Sequence, residues 1–225
     1  MNEFAARGSV DFIQMKDGTE DEYLFLREKE HEFANGTADR ILDYMAAQAD
    51  ETIEGYKITR LTHGLQSATR AYDEGADIDW IVGALLHDIS DGLAPMNHDR
   101  MAAEIVRPYL REEVTWTIEN HGLFQAYYYG HHYGWDRNER DKFKDHPCYQ
   151  SCVDFCERWD QSSFDPDYPT QPLEFFAPMV REVFARKPYD PAHIRAGAVD
   201  GVPPLKGELP PVLQDRSEIV KFRQE

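Results

Sequence analysis

Residues 78–88, IDWIVGALLHD, are apolar on nearly every side of a helix before they end in a histidine and an aspartate. A helix with one apolar stripe can lie on a surface, but a helix apolar all round must be enclosed by other elements. The rest of the chain reads as a helical shell for it. Residues 20–34 and 37–49 alternate acidic and apolar positions at helical spacing, broken at Asn35-Gly36, with Thr37 as the expected N-cap. Residues 58–74 place Ile58, Leu61, Leu65, Ala68 and Tyr72 on one stripe. Gly75-Ala76-Asp77 ends that helix and caps the buried one. Further helices are predicted over 97–110, 112–129, 147–160 and 173–186, and nothing in the first 190 residues alternates with period two. Pro and Gly then crowd the stretch from Pro188 to Pro211, with a short last helix expected from Gln214. The prediction is an all-α chain, a single helical domain over 1–190 followed by an extended, irregular tail over 191–225.

A chain of 225 residues, 41% hydrophobic, suits one core of this kind. Its net charge of −18 argues against nucleic acid or an anionic membrane as partner, since both need clustered Lys and Arg. No run approaches the 18 apolar residues of a membrane span, and the N-terminal MNEFAARGSVDFIQ has no basic start or apolar core of a signal peptide. The three cysteines, Cys148, Cys152 and Cys156, share one helical face and read as a small packed surface rather than as disulfides or metal ligands. The expected location is the cytoplasm.

Polar groups on these helices sit where burial is expected. His63 lies roughly opposite the 58–72 stripe, so it faces either solvent or a second buried surface. His87 and Asp88 close the buried helix, and His98 opens the next. His121 shares the apolar face of Val114, Ile118 and Tyr128, and Asp160 ends CVDFCERWD. Any one of these histidines read alone is best explained as a hydrogen-bonded core residue. Together they are not, because isolated buried carboxylates are too costly without a partner. A cation supplies that partner, and imidazole plus carboxylate suits iron, manganese or zinc.

At these residues the chain resembles the HD-domain superfamily of metal-dependent enzymes, whose H…HD…D pattern appears here as His63, His87-Asp88 and Asp160. His98 and His121 match the extra histidines of its dinuclear members. The resemblance covers about residues 58–165 and implies a compact helical bundle with two metal ions. His63, His87, Asp88 and Asp160 would surround one, while His98, His121 and a bridging Asp88 would hold the other. Most of the superfamily are phosphohydrolases using manganese, cobalt, nickel or zinc. The six-ligand set is closer to the mixed-valent di-iron oxygenases of the myo-inositol oxygenase and phosphonate-cleaving type. Those use iron, dioxygen and a small hydroxylated substrate, and this is the preferred expectation.

Several neighbours take roles from the same resemblance. Asp91, one turn after His87, either positions an attacking water in a phosphomonoesterase or nucleotidase or orients substrate in an oxygenase, there with Tyr56. Glu51 and Glu54 share the stretch before the first histidine. Gln125 stands where phosphonate-cleaving members carry a lysine, and offers no positive charge to a phosphonate. The segment 121–147 follows His121 and is rich in Tyr, Trp and His. It is read as a substrate wall, with Tyr128, Tyr129, His131 and His132 as contacts, its aromatic faces suited to an ammonium group. The acidic SFDPDYP stretch over 163–169 is read as a turn with no ion.

Overall fold

A computed structural model describes residues 8–50 and 54–205. Glu51 and the helix expected from Gln214 lie outside the described residues. The α-helices are α1 (Glu20–Asn35), α2 (Thr37–Ala47), α3 (Arg60–Asp73), α4 (Ile78–Leu86), α5 (His98–Val106), α6 (Glu112–Tyr129), α7 (Tyr149–Phe155), α8 (Leu173–Phe184) and α9 (Pro191–Ile194). Short 3₁₀ turns cover Gly130–Tyr133 and Glu139–Phe143, and a π turn over Cys156–Asp160 extends α7. The described residues hold no strand, and none of their helices is long and apolar enough to cross a membrane.

The caps follow the local chemistry. Thr19 and Glu22 form a reciprocal capping box at α1, Thr59 accepts from the Thr62 amide at α3, and Asp77 accepts from the amides of Asp79 and Trp80 at α4. Gly75 adopts a φ of +83° between α3 and α4, a left-handed turn that a side chain resists. At α2 the cap lies one residue earlier than expected. Gly36 is the N-cap, while Thr37 is the first helical residue and donates its hydroxyl to the Ala34 carbonyl.

α4 is enclosed as its composition requires, with every residue from Asp79 to Leu86 buried and α3, α6 and α8 packed around it. Its closest neighbour is α3. A Cβ placed on Gly64 would meet the Leu85 carbonyl oxygen at 2.7 Å, so glycine allows the two backbones to touch. This crossing lies beside His63 on one helix and two residues before His87 on the other, and it sets both side chains at one depth. α3 is buried on more than its Leu65–Ala68 stripe, because His63, Gln66, Ser67 and Ala71 are covered as well. The second buried surface contains the imidazole.

The stretch after α9 is docked on the bundle, with Val202 packed against the core. Trp80 Nε1 donates to the Gly201 carbonyl at 2.9 Å, and the amides of Asp200 and Gly201 donate to the fully buried Glu113.

Candidate metal centre

His63 and His87 point their Nε2 atoms at each other, 3.1 Å apart. Each ring is oriented from behind. His63 Nδ1 lies 2.9 Å from the Ser163 carbonyl, His87 Nδ1 2.8 Å from that of Ala84, and His121 Nδ1 2.7 Å from that of Ile118. A carbonyl only accepts, so each Nδ1 carries the proton and each neutral Nε2 presents a lone pair. Two lone pairs at 3.1 Å repel unless a proton or a cation lies between them. Backbone carbonyls behind inward-facing Nε2 atoms are the usual outer support of metal-binding histidines.

The carboxylates complete two groups. Asp160 Oδ1 lies 3.2 Å from His63 Nε2 and 3.5 Å from His87 Nε2, while its Oδ2 is buried with no hydrogen-bond partner. Asp88 faces both ways. Its Oδ2 is 3.5 Å from His63 and 3.7 Å from His87, and its Oδ1 is 3.0 Å from His121 and 3.2 Å from His98. The ligand atoms of His63, His87 and Asp160 lie close enough to hold an ion, as do those of His87, Asp88 and His121, a second group that shares His87; His98 adjoins it through Asp88 Oδ1. The residues fit a metal by their own chemistry. Two nitrogens on adjacent positions of one ion, each about 2.1 Å from it, lie roughly 3 Å apart, and the orphaned Asp160 oxygen gains a partner.

Residues 60–147 match the HD domain. The HD-domain match takes in His63, His87, Asp88, His98 and His121, while Asp160 falls beyond its end. HD domains bind divalent metals, which accords with the candidate ligand groups gathered here. No curated protein matches the chain.

Without metal, protons must do part of the same work. Burial lowers the pKa of His63, His87 and His121, but Asp160 and Asp88 outweigh it and hold all three above 6.5, with His98 raised by Asp88 in the same way. Burial raises Asp88 and Asp160, and the imidazoles override it to hold both below 3.8. The raised histidines stabilise the metal-free chain below pH 6.5, and that contribution is lost as pH rises through their elevated values. The lowered carboxyls stabilise above pH 3.8, a contribution lost as pH falls. Metal competes with the histidine protons, so its affinity changes in the opposite direction from the first effect. The rise in melting temperature on adding metal is therefore expected to be larger at about pH 8 than at about pH 6. Thermal melts with and without chelator check it, and an equal rise at both values would contradict it.

Five of the six donors, all but the fully buried His87, line a cavity of about 720 Å³. Tyr56, Asp91, Gln125, Tyr128 and Tyr129 line it. His131 and His132 do not. The 3₁₀ turn after α6 leaves both exposed, their rings 4.0 Å apart, outside the lining. Tyr127 also turns away and carries the guanidinium groups of Arg137 and Arg140, 4.1 and 3.7 Å from its ring centre. His146 stacks flat on Trp116. Cys152 and Cys156 are buried, and their thiols lie 3.7 Å from the carbonyls of Thr117 and His121.

Two of the lining residues that sequence reasoning did not single out make contacts at the donors. Phe164 stacks on His63 at 4.5 Å and on Tyr56 at 5.7 Å. The turn that carries it is pinned to α3, where Gln66 Nε2 donates to the Asp165 carbonyl and its Oε1 accepts from the Asp165 amide. The other is Arg60, whose guanidinium pairs with Asp91 and reaches within 4.0 Å of Asp88. Its sequence signal was weak, an arginine one turn before the first histidine at the start of a helix.

Proposed function

We propose that the chain is a dinuclear HD-type enzyme that holds two iron ions and oxidises a small hydroxylated substrate with dioxygen. The observation that carries this reading is Asp88, one carboxylate facing a pair of histidines from each of its oxygens. A set of four imidazoles and two carboxylates is nitrogen-rich for a magnesium or calcium site and suits a redox metal. Bound there, the metals supply Lewis acidity toward a substrate hydroxyl and the redox chemistry of dioxygen.

The chain's own residues do the rest. The carbonyls of Ser163, Ala84 and Ile118 hold three imidazoles in one tautomer and aim them inward. Phe164 covers His63 and limits water at that side. Tyr56, Tyr128 and Tyr129 give the cavity an aromatic boundary, and its volume suits a small molecule. A phosphohydrolase is the second reading. It is favoured by the HD-domain match, because such hydrolysis is common in that superfamily, and by the cationic Arg60 in the cavity.

Anaerobic metal quantification decides between them when followed by two activity screens. The oxygenase reading expects about two irons per chain, a mixed-valent paramagnetic signal, and oxygen uptake with polyol, amino-alcohol or phosphonate substrates. Manganese, cobalt or nickel with turnover of a generic phosphate ester, and no oxygen uptake, would overturn it in favour of hydrolysis.

A further inference from the structure

Arg60 is the one arginine or lysine among the described residues that line the cavity. It occupies the first turn of α3, so its backbone is rigid, and its side chain is only 20% exposed. One terminal nitrogen, Nη2, is bound to Asp91. The other, Nη1, is 4.0 Å from Asp88, too far for a hydrogen bond. Guanidinium is a planar fork with donors to spare after one carboxylate contact. Nη1 is therefore held in the cavity, beside the metal-ligand candidates, without a hydrogen-bond acceptor among the described residues.

Asp91 is committed on one side, through Oδ2. Its Oδ2 holds Arg60, and its Oδ1 lies 3.6 Å from His98 Nδ1, a buried nitrogen with no hydrogen-bond partner. The Oδ2 contact makes Asp91 a fixed partner for the Arg60 guanidinium. Its geometry is that of a clamp. Among the described residues, the cavity's other wall carries no lysine or arginine. Tyr129, Tyr133 and Trp135 pack their rings on one another there with centroids 5.2 to 6.2 Å apart. In a chain of net charge −18, an anionic ligand reaches this cavity only if local charge outweighs the overall field.

We propose that Arg60, positioned by Asp91, selects the substrate by binding an oxyanion on it, a carboxylate or a phosphoryl group. The inference rests on the dinuclear reading above and adds the substrate's charge. Arg60 is then a specificity-determining residue, and Asp91 a positioning residue rather than a base.

The test uses metal-loaded protein and three ligands that share a carbon skeleton: glycerate, glycerol phosphate and glycerol. Binding is measured by calorimetry for the wild type, Arg60→Ala, Arg60→Lys and Asp91→Asn, with metal content recorded for each. The wild type is expected to favour at least one oxyanion over glycerol, and which of the two it favours tells a carboxylate site from a phosphoryl site. Arg60→Ala is expected to weaken that oxyanion by roughly ten- to a hundred-fold, the range for a charged hydrogen bond, with metal content and glycerol binding unchanged. Arg60→Lys keeps the charge without the fork and is expected to lie between. Asp91→Asn is expected to weaken the anion while leaving the shape of the pH–rate profile unchanged, whereas loss of a base would remove one limb. Oxyanion binding in Arg60→Ala as tight as in the wild type, or a wild type indifferent to charge, overturns the proposal. A wild type that binds the oxyanion through Arg60 but takes up no metal overturns the dinuclear reading and leaves Arg60 standing.

Discussion

Asp88→Ala is expected to empty both metal positions at once, while His98→Ala is expected to lower metal content from about two ions per chain to one. The difference follows from where each side chain points. His98 Nε2 approaches Asp88 Oδ1, on the side it shares with His121, and does not extend to the His63–His87–Asp160 group. Asp88 is the one carboxylate that meets both sides, with Oδ2 toward His63 and His87 and Oδ1 toward His98 and His121. Without it, four imidazoles crowd a space that retains only Asp160, and the charge that offsets two cations is halved. Loss of an outer hydrogen-bond partner of a ligand costs about 10–100-fold in metal affinity or activity, and loss of a shared ligand should exceed that. Metal analysis by mass spectrometry checks both variants, with circular dichroism to confirm that the helices persist. Two ions retained in Asp88→Ala would end the bridging assignment, and two retained in His98→Ala would remove His98 from the centre.

The helices were legible because their signals are local. The 3.6-residue periodicity, Gly75 and the Asp77 cap act over a few residues, and so the boundaries of α3, α4 and α6 fall within two residues of expectation. Convergence of His63, His87, Asp88, His98, His121 and Asp160 was legible for a different reason. Groups so costly to bury on helices so apolar have few arrangements open to them.

The unread parts depend on contacts distant in sequence or on backbone register. Residues 147–160 read as one regular helix, but the last turn is π, closed by the Gln161 amide on the Cys156 carbonyl. An extra residue per turn leaves no trace in apolar spacing, yet it sets where Asp160 points. That turn is held from outside by Glu74, which accepts from Trp159 Nε1 and the Arg158 guanidinium. Arg60 and Asp91 are 31 positions apart, so neither predicts the other. Phe164 lies in a stretch whose prolines suggested only a turn with no ion. His131 and His132 show the opposite error, since nearness to His121 along the chain counted for nothing once the helix tightened into a 3₁₀ turn.

Glu113→Ala is expected to be the most destabilising change away from the centre. The carboxylate is fully buried at the start of α6. It accepts from Arg111 Nε at 3.2 Å, from the Ser151 hydroxyl at 2.6 Å, and from the amides of Asp200 and Gly201 at 3.1 and 2.8 Å. One side chain thus joins α6, α7 and the stretch after α9, whose Gly201 carbonyl also caps the Trp80 indole. Its removal strands two backbone donors, a hydroxyl and part of a buried guanidinium that still has Asp77 to bind. Breaking a buried ion pair by deleting one partner costs about 3–5 kcal/mol. At roughly 2–4 °C per kcal/mol for a chain of this size, the melting temperature should fall by about 6–20 °C. Glu112 is the matched control, because it is exposed and accepts from the exposed Gly197 amide, and Glu112→Ala should cost less than about 1 kcal/mol. Denaturant unfolding of both variants measures the difference. Metal content should be unchanged in each, since neither carboxylate contacts a metal-ligand candidate. A cost below about 1 kcal/mol for Glu113→Ala would mean that the Pro-rich stretch is held by Trp80 and surface packing rather than by the buried carboxylate.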